Sequence, residues 1–219
     1  HKGVWDETKY RLTSVANFGA NYITVIGVQV KPVNSGSTAV RAVSISGVEA
    51  GGSEILLDAC IITADFSGNT VASNCVGLYV ADADAVVTAR NSIIHGIVNN
   101  PGGGSYGQGV QLTGGTLTLE NCTIVGNGGS GIRRVGGTLD IINTYVGGNG
   151  DADVAGTVNA YTTCACEDDI DASGLTKQVA FDTIEGAGHA GFQSVTPGDA
   201  NYLKLKGGSG VVKQGTKVK

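Results

Sequence analysis

Three charged residues, Asp58, Arg90 and Glu120, have a spacing that invites a chemical reading. They directly precede Ala59, Asn91 and Asn121, which recur at intervals of 32 and 30 residues. If the three stand at one place on successive layers of a stack, Asp58 and Glu120 lie ~9.6 Å apart, two strand spacings of ~4.8 Å. Two carboxylates hydrolyse a glycosidic bond with inversion when ~6.5–9.5 Å apart, so the pair falls at the upper end of that range. Arg90 midway between them argues for a different role. Opposite charges on neighbouring strands form a stabilising ladder, and the cation holds both carboxylates ionised where a glycosidase acid must be protonated. The ladder is the favoured reading, with Asp58 and Glu120 as the carboxylates to test first.

The remaining reactive side chains give weaker signals. Asp82 and Asp84 alternate in a turn, Asp151 and Asp153 lie in GGNGDADVAGT, and Glu167, Asp168, Asp169 and Asp171 lie in CACEDDIDAS. None follows the EF-hand spacing or the nine-residue Ca²⁺-binding repeat. Asp151 and Asp153 are kept as weak Ca²⁺ candidates, and no cofactor is expected. His95 has no Ser or Cys nucleophile and carboxylate at a recognisable spacing and reads as a surface loop residue. Arg133 and Arg134 occupy a place where other units carry Val110-Gln111-Leu112 or Leu78-Tyr79-Val80. At least one arginine must face outward, toward solvent, an anionic sugar or a partner subunit. Five cysteines are an odd count, and Cys164-x-Cys166 is too tight for the usual zinc pairs; buried, idle thiols are expected.

The elements that carry these groups follow from composition. Glycine makes up 36 of 219 residues and methionine is absent. Each interior glycine costs a helix about 1 kcal/mol relative to alanine, so a helical bundle is excluded. A hydrophobic share of 41% excludes a disordered chain. With a net charge of −5 and only 14 Lys and Arg, nucleic acid is not an expected partner. No apolar run approaches the ~20 residues that cross a bilayer, so membrane insertion is not expected.

Internal repetition decides the architecture. VIGVQV (25–30), LDACII (57–62), ARNSII (89–94), LENCTI (119–124) and IINTYV (141–146) align on Gly27, Ala59, Asn91, Asn121 and Asn143. A second pattern trails the first: AVSI (42–45), GLYV (77–80), GVQL (109–112) and GIRRV (131–135). Each unit is expected to hold two short strands. Units this short cannot bury an apolar face alone, so they must stack. The expected fold is all-β, a parallel β-helix of about six or seven coils, right-handed by the rule for parallel crossovers. Alternation points Leu117 and Leu119 inward, Thr118 and Glu120 outward, with Ile55/Leu57, Leu139/Ile141 and Ile23/Val25 in the same inward slots. Asn at three registered positions predicts a left-handed turn in each coil, with amides bonding the copies above and below.

The strings LENCTIVGNGGSGIRRVGGTLDIINTYVGGN and FQSVTPGDANYLKLKGGSGVVKQGT resemble right-handed parallel β-helix repeat proteins of the pectate-lyase-like superfamily. Phe192, Asp199, Tyr202, Leu203, Ser209, Gly215 and Thr216 stand in the order in which such proteins often close. The opening HKGVWDETKYRL resembles a coil entrance of large β-helix proteins of phage and environmental bacterial origin. The resemblance implies an architecture more than an activity.

Residues 1–160 are thus expected to form the coils, and 161–219 a wrapping and closing segment of the same domain. Long inserts in the first three units (Lys31 to Arg41, Thr63 to Asn74, His95 to Tyr106) are expected to stack into a ridge, with Phe66 and Tyr106 as its aromatic contacts. A Thr-rich ice-binding face is not expected, because the positions equivalent to Thr118 read Leu56 or Val87 and Asp140. The chain opens at His1 directly into a coil-like segment, so preceding sequence or a covering subunit is expected. The functional expectation is a non-catalytic structural or adhesive module of a phage particle or microbial surface, extracellular and self-associating with coat or surface subunits. The alternative is a carbohydrate-active β-helix that cleaves or binds an acidic or neutral polysaccharide.

Overall fold

The structure is a computed structural model, and the residues described are 6, 11–33, 40–48, 53–68, 75–98, 107–162 and 164–166. Every regular element among them is a strand, and the strands rotate through three positions. The first coil holds β1 (Arg11–Leu12), β2 (Ala16–Phe18) and β3 (Ile23–Ile26), and the second β4 (Gln29–Val30), β5 (Val40–Ile45) and β6 (Ser53–Asp58). The third holds β7 (Ile61–Asp65), β8 (Cys75–Val80) and β9 (Ala85–Arg90), and the fourth β10 (Ile93–Val98), β11 (Gly107–Leu112) and β12 (Thr116–Glu120). The fifth holds β13 (Thr123–Val125), β14 (Ile132–Arg134) and β15 (Thr138–Ile142), and the sixth β16 (Tyr145–Gly147), β17 (Val154–Ala155) and β18 (Ala160–Thr162). β19 (Ala165–Cys166) opens a seventh. Each strand pairs in parallel with its copy one coil away, giving sheet A from β1 to β19, sheet B from β2 to β17 and sheet C from β3 to β18. The fold is a parallel β-helix.

A coil has three strands, not the two expected. The first sequence pattern joins the end of a sheet C strand to the start of a sheet A strand, and one residue turns the corner between them. Gly27, Ala59, Asn91, Asn121 and Asn143 have φ of 69°, 52°, 51°, 52° and 47°, the left-handed conformation expected of the column. Because that corner lacks a Gly- or Pro-rich loop, two strands read as one segment. The second pattern is sheet B, with Val43 opposite Leu78, Leu78 opposite Val110 and Val110 opposite Ile132.

An alanine in the left-handed region costs roughly 1–2 kcal/mol that asparagine, which visits it routinely, largely avoids. Ala59→Asn is therefore expected to stabilise the fold by about 1 kcal/mol. Urea denaturation checks this, and a midpoint at or below that of the parent chain contradicts it.

Inside the coils the expected slots hold. Ile55, Leu57, Val87, Leu117, Leu119, Leu139 and Ile141 are buried in one core cluster. After the turns at Ala59, Asn91, Asn121 and Asn143 comes a small residue whose side chain closes the corner, namely Cys60, Ser92, Cys122 and Thr144. Ser92 Oγ donates to the Arg90 carbonyl at 2.7 Å and accepts from the Cys60 amide at 3.0 Å. Thr144 Oγ1 donates to the Ile142 carbonyl at 2.9 Å and accepts from the Cys122 amide at 3.2 Å. Cys122 and Cys164 thiols donate to the Ala89 and Ile141 carbonyls, each at 3.2 Å. All five cysteines are buried. Burial pushes the Cys122 thiol up to about 12 and raises that of Cys60, so these thiols pack rather than react.

Candidate functional site

The three outer faces differ in exposure. On sheet A, Ile61, Thr63, His95, Val125 and Tyr145 are buried although they lie outside the core cluster. Asp6 supplies part of that cover, its backbone amide donating to Gln29 Oε1 at 2.6 Å and its carbonyl accepting from Gln29 Nε2 at 3.0 Å. On sheet B, Ser44 and Gln111 are likewise buried. Sheet C is the barest of the three faces among the described residues, with Thr24, Ile26, Glu54 and Val86 exposed, whereas sheet B exposes Asn17 and Arg133.

The charged column lies on that bare face. Asp58 stands opposite Arg90, and Arg90 opposite Glu120, with Ile26 and Ile142 continuing the column at either end. Arg90 Nη2 donates to Asp58 Oδ2 at 2.9 Å, and Asn91 Nδ2 donates to Asp58 Oδ1 at 2.9 Å. The Arg90 hydrogen bond, then that of Asn91, holds the Asp58 carboxyl below its ordinary range. Arg90 is in turn held cationic by Asp58 and, through space, by Glu120. A carboxylate held ionised in this way accepts hydrogen bonds but is a poor proton donor. Glu120 sits two layers from Asp58, with the guanidinium between them.

Scans against protein-family models, curated proteins and solved structures returned no match to this chain.

The other predicted site residues do not come together. Phe66 is fully buried in the core cluster, so it is a packing residue and not the ridge aromatic expected. Tyr106 lies outside the described residues, as do the tips of the three long inserts. The inserts do leave sheet A and enter sheet B along one edge, between β4 and β5, β7 and β8, and β10 and β11. Thr63 and His95 belong to strands and not to the loops they were expected to open. His95 precedes Gly96, which has φ of 60°, where the β7–β10 register shifts between Ile94 and Ile97. Covered by its surroundings and near Lys31, its imidazole is depressed to about 4.

Arg133 and Arg134 separate by role. Arg134 Nε and Nη2 donate to the Gly137 carbonyl and Nη1 donates to the Thr157 carbonyl at 2.9 Å, so this arginine holds two turns. Arg133 is exposed and tops an outward column of Ser44, Tyr79 and Gln111 on sheet B. The Arg41 guanidinium lies 3.7 Å from the centroid of the Tyr79 ring, so that ring face is already occupied.

The two acidic candidates for Ca²⁺ diverge. Asp151 is exposed, whereas Asp153 is fully buried. Asp153 Oδ1 accepts from Asn149 Nδ2 at 2.8 Å, and Asn149 Oδ1 accepts from Asn127 Nδ2 at 2.9 Å and from its backbone amide at 3.1 Å. Asn127 Oδ1 accepts from the Ile97 amide at 3.2 Å. Sequence reasoning placed an amide ladder at Asn91, Asn121 and Asn143 and missed this one. The signal was present: Asn127 and Asn149 are 22 residues apart, the interval that separates Asn121 from Asn143. Asp82 also has a structural task, accepting from the Gly47, Val48 and Asp84 amides at 2.9, 3.0 and 3.0 Å and so tying neighbouring turns together. Among the described residues no three His, Cys, Asp or Glu side chains gather into a metal-ligating group.

The Thr face needs one correction. The residue opposite Thr118 in the fourth coil is Thr88 of the third, not Val87. The column still reads Thr24, Leu56, Thr88, Thr118, Asp140 and Ala160, without a regular threonine array.

Proposed function

We propose that the chain is a non-catalytic structural or adhesive β-helix module, of the kind carried on phage particles or microbial surfaces, and a relative of the pectate-lyase-like β-helices its repeats resemble. The observation that carries the reading is the Asp58–Arg90 pair. The wall's best-placed carboxylate is committed to an ion pair, and the nearest carboxylate of its column lies across that cation. Extracellular placement and the absence of a resident cofactor belong to the same proposal. So does self-association, which is favoured by the strands that end the described sheets, β1 to β3 and β17 to β19. Phe18, Ile23 and Val25 face the core there yet are only half-buried, and sheet edges of this kind invite further pairing.

The test is product release. Incubated with a panel of acidic and neutral polysaccharides, the chain is expected to liberate neither reducing ends nor unsaturated products. Turnover that disappears in Asp58→Asn or Glu120→Gln overturns the reading in favour of a carbohydrate-active enzyme, whose carboxylates would then be those two.

A further inference from the structure

We propose that the bare face of sheet C binds a neutral oligosaccharide in a groove across β3, β6 and β9. The inference rests on the adhesive half of the reading above and names its ligand class. The groove is half open to solvent and offers about 430 Å³, within the ~300–1,000 Å³ typical of ligand clefts.

Its lining is that of a site for a hydroxylated ring. Tyr22 stands at one side with 78% of its surface exposed, on a backbone with φ of 126°. An exposed aromatic held in a conformation that L residues rarely adopt is the kind of outlier that clusters at ligand sites. Leu56 and Val86 supply apolar floor for the C–H face of a sugar, while Thr24 and Thr88 supply hydroxyls beside it. Glu54 and Arg90 bound the groove as acceptor and donor. They are separated along the strands by about 13 Å, since Glu54 stands opposite Val86, four residues before Arg90 at ~3.3 Å per residue.

Charge and backbone select among ligands. Arg90 is already neutralised by Asp58, and Glu54 and Glu120 add further negative charge on the same face. An anionic sugar or a phosphate would meet repulsion there, which favours an uncharged ligand over an anionic one. The strands beneath the groove are paired to their neighbours on both sides or, for β3, to β6. Beneath the groove an extended peptide finds a backbone edge only at β3, the strand that ends the sheet, so across β6 and β9 recognition falls to side chains.

Calorimetry on the full chain would use cellotetraose, maltotetraose, mannotetraose and tetra-N-acetylchitotetraose as neutral probes, and tetragalacturonate and tripolyphosphate as anionic ones. At least one neutral probe is expected to bind. Tyr22→Gly removes the ring and relaxes its backbone, so the fold is kept, and it is expected to weaken binding about tenfold, as does Thr88→Val. Arg133→Ala, on sheet B, is expected to leave affinity within about twofold. The inference is overturned if no neutral probe binds, if an anionic probe binds more tightly, or if affinity survives Tyr22→Gly. Cleavage of a bound oligosaccharide would instead overturn the non-catalytic reading and leave this inference standing.

Discussion

Gly131→Ala is expected to destabilise the fold by about 3 kcal/mol, the upper part of the range for forcing an extra methyl into a close-packed interior. Gly77, Gly109 and Gly131 stand opposite one another in sheet B, and the coils press together there. A Cβ on Gly131 would lie 2.6 Å from Asn149 Nδ2, 2.6 Å from Val146 Cγ1 and 2.7 Å from the Asp153 carbonyl. None of these can retreat cheaply. Asn149 is the middle link of the interior amide chain between Asn127 and Asp153; displacing it leaves buried polar groups unpaired, at about 1–3 kcal/mol each. Val146 belongs to the core and the third atom to the backbone of the next coil. The glycine is needed for space. Gly126 offers the contrast, because its φ of 64° needs a glycine-like backbone while nothing lies within 4 Å of its Cβ position. Equilibrium urea denaturation of Gly131→Ala is the measurement. A cost below about 1 kcal/mol, no larger than an ordinary surface change, would contradict the packing described.

The second large effect is a loss of stability on mild acidification. His95 is depressed to about 4 in the folded chain and returns to its ordinary 6.5 on unfolding. Between those values the unfolded chain binds more protons, so stability falls as pH drops from about 6.5 to about 4 and then levels off. At about 1.4 kcal/mol per pH unit, the fall amounts to roughly 3 kcal/mol. Asp58 and Asp65, both lowered, the first by Arg90 and the second by Ser67, act in a separate window. Their contribution is complete above the ordinary carboxylate value of 3.8 and is lost only as pH falls below it. Urea midpoints at pH 7, 5.5 and 4.5 therefore isolate the histidine. His95→Gln should flatten the profile across that window, and an unchanged slope would remove the assignment.

Both effects arise where the pattern of letters was least informative. The alternation in LTLEN places Leu117 and Leu119 inward because a strand has a period of two and an isolated layer must bury one face. That constraint is local, and so is the left-handed turn at Asn91, Asn121 and Asn143. Alignment of such repeats therefore yields the register around that turn, including Asp58 opposite Arg90, but it slipped by one residue at Thr118, whose partner is Thr88. Phe66 and His95 were misplaced for the opposite reason. Each lies where a long insert leaves sheet A, and whether such a residue meets solvent or core depends on what folds across it. The contact of Asp6 with Gln29, 23 residues further on, is of that kind.

By itself, then, the order of residues determined the stacking of short parallel strands, the inward slots of the strands that precede each left-handed turn and the alignment of a carboxylate, a guanidinium and a carboxylate on successive layers. All of these follow from periodicity and from the need of each layer to bury its apolar side against the next. Only the tertiary structure decided which outer faces are covered and which lies bare. It also showed that Asp58 is spent on Arg90, and that Asn127, Asn149 and Asp153 close a polar chain inside the coils. Those outcomes depend on distances between side chains brought together by folding, which no local pattern encodes.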